Sequence, residues 1–273
     1  MKRLVIPLIL LAALASWAAN PHLMVVARKN VAAAGGGTDF TQDGNCVGAW
    51  YMNGDGGTDE IETDRSGNGY TLAESSGDEL AVVTNRPPGY AGTSRKFDSS
   101  ASDHLVLTSP TGAITNMTSA VTAAAWVNLD TSAGTSTIMS KWAGSPNNSF
   151  VFQITSGNTL RCYISSNGSA AELVSGSAST IADDTWHHVA MTFDATGQEF
   201  IFYIDGSPDQ TNATTATELD ANAGAFKIGL HSAATDQIDG WLDEEIVFDR
   251  ILSAAEINDL YTDGTDGSNG GND

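Results

Sequence analysis

From Cys46 onward the chain sets short apolar runs of five to nine residues between clusters of Gly, Asn, Asp, Ser and Thr. The runs are "CVGAWYM", "YTLAE", "SRKFD", "HLVLTS", "VTAAAWVNL", "STIMSKW", "SFVFQIT", "TLRCYIS", "WHHVAMTFD", "EFIFYID", "AFKIGLH" and "GWLDEEIVF". That spacing predicts about a dozen β-strands. Alternation is cleanest in "SFVFQIT" and "EFIFYIDG". In "TWHHVAMTFD", parity sends His187, Val189, Met191 and Phe193 to one face, and Trp186, His188, Ala190 and Thr192 to the other. One segment, "SAAEINDLY" at 253–261, is helical in pattern: Ser253 is a good N-cap, Glu256 follows three residues later, and Ile257 and Leu260 form an apolar side. A single sheet of a dozen strands would leave one apolar face in water, so the pattern predicts an all-β, two-sheet antiparallel sandwich with one short C-terminal helix.

The ends have a different texture. Lys2 and Arg3, the apolar stretch "LVIPLILLAAL", and Ser16, Trp17 and Ala18 form a signal-peptide pattern, which predicts cleavage after Ala18 and export to a secreted or cell-surface location. The apolar stretch is shorter than the ~20 residues that span a bilayer, so no membrane insertion is expected after cleavage. Residues 19–45 contain "AAAGGG" and are expected to be a linker or docking arm. Residues 46–262 form the expected domain, and 263–273 a flexible, acidic, Gly-rich tail.

Composition narrows the function. The net charge of −21, from 33 acidic and 12 basic side chains, repels phosphate backbones and argues against nucleic acid as a partner. Cys46 and Cys162 are free to pair in an exported protein, and the sequence does not say whether they meet. Four Asn-x-Ser/Thr sequons begin at Asn116, Asn147, Asn167 and Asn212 in a chain rich enough in those residues to produce them by chance. His187 and His188 lack the His-x-His or His-x₃-His spacing of a metal site, so their expected role is to build the sheet.

"DDTWHHVAMTFD", "FYIDG", "KIGLH" and "GWLDEEIVFDRILSAAEINDLY" in that order, with the upstream "VGAWYMNGDGGTDEIETDRSGNGYTL", resemble the laminin G-like, concanavalin A-like jelly-roll family of pentraxin-related type. The resemblance covers about residues 46–262 and implies a jelly roll.

In the turn "DRSGNG", Asp64, Ser66 and Asn68 are spaced by two with Gly69 next, which is the oxygen-donor pattern that opens a calcium loop. The later bidentate Glu of an EF-hand is replaced by Ser75, so another carboxylate must come from elsewhere. The resemblance implies Asp243, on a strand beside the opening strand. One structural Ca²⁺ on Asp64, Asn68 and Asp243 is the expectation, with a metal-free Asx turn as the alternative.

Catalysis has little support. Asp243 and Glu245 share a face by strand parity, but the Glu-x-Asp-x-x-Glu pattern of jelly-roll glucanases is missing; "ELDANA" at 218–223 starts it and lacks the last Glu. Gly-x-Ser-x-Gly, a Cys with a matching His, and a phosphate loop are absent too. Trp50, Trp126 and Trp186 lie in alternating runs and are expected in the core, whereas Trp142 and Trp241 are expected to be partly exposed. An exposed ring beside Asn and Asp suits a sugar, which makes Trp142 the candidate ligand contact. The first expectation is therefore a secreted, non-catalytic module that binds a glycan or a surface protein. The alternative is an assembly subunit of a coat, fibre or adhesin, favoured by the arm, with possible self-association. A glycoside hydrolase is a remote third, on fold analogy alone.

Overall fold

The structure is a computed structural model that describes residues 37–54, 61–75, 80–90, 92–130, 134–174, 176–231 and 236–265. The expected signal and most of the arm, residues 1–36, and the tail from 266 lie outside the described residues.

Two antiparallel sheets are present among the described residues. The first runs β14 (Ser207–Ala213), β13 (Glu199–Ile204), β12 (Trp186–Asp194), β7 (Ala120–Leu129), β16 (Gly240–Phe248), β5 (Ser94–Phe97) and β4 (Val82–Val83), with β1 (Cys46–Trp50) also paired to β16. The second runs β11 (Glu172–Val174), β10 (Leu160–Gly168), β9 (Asn148–Ile154), β8 (Ser136–Trp142), β15 (Phe226–Ile228), β6 (Leu105–Leu107), β3 (Leu72–Glu74) and β2 (Ile61–Glu62).

Alternation decides what lies between them. Val189, Met191 and Phe193 of β12 enter one apolar cluster with Phe150, Phe152 and Ile154 of β9, so the parity of both strands holds. Trp50 is fully buried there, stacked on Phe226 at 5.4 Å, with its indole N–H donating to Tyr70 O at 2.9 Å. Arg95 is also buried between the sheets, where it bonds Glu62 Oε1 at 2.6 Å, Ile61 O, Leu80 O and Glu74.

The outer face of the first sheet carries a second core. Ala49, Ala124 and Ala190 are small enough to let the helix α1 (Ala254–Asp263) settle on the strands, and Ile257 and Leu260 are buried there with Phe40 and Phe248. The expected capping box forms in full: Ser253 Oγ accepts from Glu256 N, and Glu256 Oε2 accepts from Ser253 N at 2.7 Å. Arg250 ties this end together by bonding Glu256 at 2.7 Å and Asp43 at 2.6 Å.

Residues on either side of the expected 46–262 span also pack on the sandwich. Phe40, placed in the arm, is buried and meets Phe248 edge-on at 6.2 Å, and its N–H donates to Thr265 O. Thr265, placed in the tail, is buried and donates from N and Oγ1 to Glu244 Oε2. A lone Phe in a polar stretch carries no periodic signal, so pattern reading passed over it. The polar edge strand β14 was missed for the same reason; it follows a two-residue type I′ turn in which Asp205 and Gly206 take φ of 49° and 74°.

Candidate functional site

Four aromatic side chains meet on the outer face of the first sheet, at the end nearer the β13–β14 turn. Trp126 of β7 pairs in register with His188 of β12, and Trp186 precedes His188 by two, so all three share a face. Tyr90 arrives from the turn after β4, and Tyr261 from α1. The rings pack at short range: Tyr90 lies edge-on to Trp126 at 5.3 Å, Tyr261 lies 5.4 Å from Trp126, and His188 lies 5.6 Å from it. Beside them opens a cleft of about 430 Å³, lined by Tyr90, Trp126, Trp186 and Tyr261 with Thr185, Thr262, His187 and Asp205 at its polar side.

Two of the aromatics, Tyr90 and Trp186, are held by their own polar ends. Tyr90 Oη donates to the carbonyls of Leu260 (3.2 Å) and Tyr261 (3.0 Å), which pins the cleft to the helix, and burial pushes its phenol pKa up. Trp186 Nε1 donates to Asn85 Oδ1 at 3.1 Å, leaving the ring face to the cleft. Trp126 is 4% exposed and forms the floor, while Trp186 and Tyr261 are half-buried walls.

The histidines build rather than react. His187 Nε2 accepts from Ala182 N at 3.2 Å and its Nδ1 donates to Asp205 Oδ2 at 2.9 Å, so both ring nitrogens are used. Asp205 Oδ1 also accepts from His188 N at 3.0 Å. His188 is fully buried, and burial drives its pKa down to about 4, so it is neutral.

Two of the expected calcium ligands, Asp64 and Asn68, are engaged in hydrogen bonds. Asp64 Oδ1 accepts from Ala49 N and Ser66 N, and its Oδ2 from Ser66 Oγ and Tyr70 N, so four donors fill the carboxylate. Asn68 turns its Nδ2–H₂ to Cys46 O and Val47 O, both at 2.9 Å. These bonds fasten the "DRSGNG" turn to β1, and β1 in turn pairs with β16, which carries Asp243. Asp243 itself is buried on β16, opposite Trp126 of β7. Among the described residues no three carboxylate, imidazole or thiol groups gather to hold a metal. The bonds at Asp64 and Asn68 are those of a hydrogen-bonded Asx turn.

Strand parity also misplaced Asp243 and Glu245. A bulge separates Asp243 from Ile246, and Glu244 takes φ 54° within it. Asp243 therefore faces outward opposite Trp126, whereas Glu245 faces the inner core opposite Trp50. Two carboxylates on opposite faces of a sheet cannot act on one glycosidic bond. Burial holds the pKa of each well above the ordinary carboxylate range.

The tryptophans divide in part as expected. Trp50 and Trp126 are buried, and Trp126 also floors the cleft, whereas Trp186 lines it half-buried. Trp142, expected at the surface, is 9% exposed on the second sheet, 6.1 Å from His231. Trp241 is half-buried, with Lys96 Nζ 4.4 Å over its ring. Strand parity puts Trp186, which follows a turn, on one face with His188, and that is the signal in the sequence for the cleft. Cys46 and Cys162 are buried, unpaired, and lie in different sheets. No helix among the described residues is long and apolar enough to cross a membrane.

A laminin G-like family model, described as the concanavalin A-like lectin/glucanases superfamily, matches residues 98–258, more than half of the chain. Several binding domains of known structure share the fold. That of Paraclostridial Mosquitocidal Protein 1 matches with TM-score 0.60 and 15% identity, over 80% of this chain and 52% of that one. That of botulinum neurotoxin serotype G gives 0.59 and 14%, over 80% and 50%. The binding domain of botulinum neurotoxin DC, solved in complex with rat synaptotagmin II, gives 0.55 and 15%, over 80% and 51%. The chain spans about half the length of these structures, and at such identities the likeness is one of fold. No curated relative matches the chain.

Proposed function

Because the chain belongs to the concanavalin A-like lectin/glucanase superfamily, we propose that it is a non-catalytic binding module that takes a saccharide ring in the cleft between Trp126, Trp186 and Tyr261. The observation that carries this reading is the cleft itself. Ligand pockets of roughly 300–1,000 Å³ combine apolar walls with a few convergent polar groups, and this one offers ring faces on two sides and Thr185, Thr262 and Asp205 on the third. Sugar C–H faces stack on such rings, and the polar atoms meet hydroxyls. A non-catalytic role is supported by His187, whose nitrogens are both committed, and by the divided carboxylates of β16. Binding domains with the same fold have been solved with a protein, rat synaptotagmin II, and with N-acetylneuraminic acid, so both ligand classes occur on this architecture. The signal-like first residues support a place outside the cell. Calcium has no part in the proposed recognition.

A glycan array followed by calorimetry tests the reading. Trp186→Ala and Tyr261→Ala are each expected to weaken the best glycan ~10-fold or more, the loss of ~1.4 kcal/mol, while Trp142→Ala leaves it unchanged. A blank array, or full binding by the Trp186→Ala/Tyr261→Ala double variant, sinks the proposal.

A further inference from the structure

We propose that the chain forms an intramolecular amide cross-link: Nζ of Lys141 attacks the side-chain carbonyl carbon of Asn222 and displaces ammonia, with Asp220 carrying the proton. The site joins β8 to the loop between β14 and β15, shares no residue with the aromatic cleft, and stands apart from the function proposed above.

The register puts a lysine where an apolar residue belongs. Lys141 of β8 pairs with Phe150 of β9, and Phe150 belongs to the inner core, so Lys141 points between the sheets and is fully buried. Its Nζ donates to Asn222 Oδ1 at 2.7 Å, to Asn222 O at 2.6 Å and to Gly224 O at 3.4 Å. All three acceptors are uncharged, and a buried ammonium held by neutral groups is costly. Burial lowers the Lys141 pKa to about 8, against the opposing pull of Asp220, which brings the neutral, nucleophilic amine within reach near neutral pH.

The segment "ELDANA" at 218–223, which starts a glucanase-like pattern without completing it, supplies the other groups. Leu219 N donates to Thr118 O at 2.7 Å and Asp220 N to Ser165 O at 2.8 Å, which fastens the loop to the sandwich. Asn222 Oδ1 accepts from Gly224 N at 2.9 Å as well as from Lys141, so the atom that gains negative charge during attack already faces a backbone donor. Asn222 Nδ2, the leaving nitrogen, donates to Asp220 Oδ2 at 2.9 Å. Nucleophile, polarised carbonyl and proton carrier thus meet at one carboxamide. Cγ is bonded to Oδ1 at about 1.2 Å, so a small slide of Nζ off the oxygen brings it to the carbon.

The step balances without an oxidant or a cofactor. Lys141 releases its ammonium proton to water, and the neutral amine forms the Nζ–Cγ bond. One Nζ proton passes through the Asp220 carboxylate to Nδ2, the Cγ–Nδ2 bond breaks, and ammonia leaves to solvent past half-buried Asn222. The product is an uncharged secondary amide, so the cost of the buried ammonium disappears. A bond between positions 141 and 222 also constrains the unfolded chain, as a disulfide does.

Peptide-mapping mass spectrometry of the purified full chain tests the proposal. A branched peptide holding Lys141 and Asn222, lighter by one ammonia than its two parts together, is expected, with a melting temperature above that of Lys141→Met. Asp220→Ala and Asp220→Asn keep both partners and should leave them mostly unlinked, whereas an Asp220 that only supports the loop would lower the melting temperature and spare the link. Separate, unmodified Lys141 and Asn222 peptides from the folded wild type after prolonged incubation would overturn the proposal whether or not a variant folds. So would a complete link in either Asp220 variant.

Discussion

His188 places a base where water does not reach. Its unfolded pKa is 6.5 and its folded one about 4. The unfolded chain therefore takes up a proton that the folded protein refuses. This contribution to stability is complete above pH 6.5 and is lost as pH falls towards 4, by ~1.4 kcal/mol per pH unit at most and about 3 kcal/mol in all. Chemical denaturation of the wild type and His188→Phe at pH 7 and pH 4 should show the wild type losing about 3 kcal/mol more than the variant; a pH-independent difference would contradict a buried neutral imidazole. Asp64 makes the opposite point about a motif. Its spacing with Ser66 and Asn68 was legible, but whether a carboxylate receives four N–H and O–H donors or a cation depends on backbone brought in from Ala49 and Tyr70, which no local pattern specifies. Millimolar calcium is accordingly expected to leave the melting temperature unchanged, and a rise of several degrees would restore the metal site.

Elements formed where periodicity was strong and were missed where it was weak. β8, β12 and β16 match the expected runs end to end, because alternating apolar residues have one way to bury a face. β14 has no apolar pattern and exists because the Asp205–Gly206 turn returns the chain along β13. The bulge in β16 was hidden too: three consecutive acids give no sign of where parity breaks, so Asp243 and Glu245 were assigned one face and occupy two. The helix was legible through its cap. Ser253→Ala should cost ~1 kcal/mol, measured by denaturation, since it strips Glu256 N of its acceptor. Arg95 links β5 in one sheet to β2 and β3 in the other, and Arg95→Met should destabilise by roughly 3–5 kcal/mol because Glu62 is left buried with its charge. A loss under 1 kcal/mol would mean that the inter-sheet ion pair is dispensable.

For the whole molecule, the sandwich was legible from a dozen alternating runs, but the site was not, because the cleft is made from five segments distant in sequence. Trp126 and Trp186 looked like core when each strand was taken alone. Pairing β7 with β12 and laying α1 across them leaves their ring faces at an opening that neither strand contains. The boundary follows the same logic: a chain starting at Gly35 should melt like the full protein, while one starting at Cys46 loses buried Phe40 and should melt well below it. The most direct test of the binding account follows the indole N–H signals of the five tryptophans beyond the expected signal by nuclear magnetic resonance during titration with the best glycan. Trp126 and Trp186 should shift together and saturably while Trp50 and Trp142 stay in place. Shifts confined to other tryptophans, with those two unmoved, would contradict recognition in the aromatic cleft.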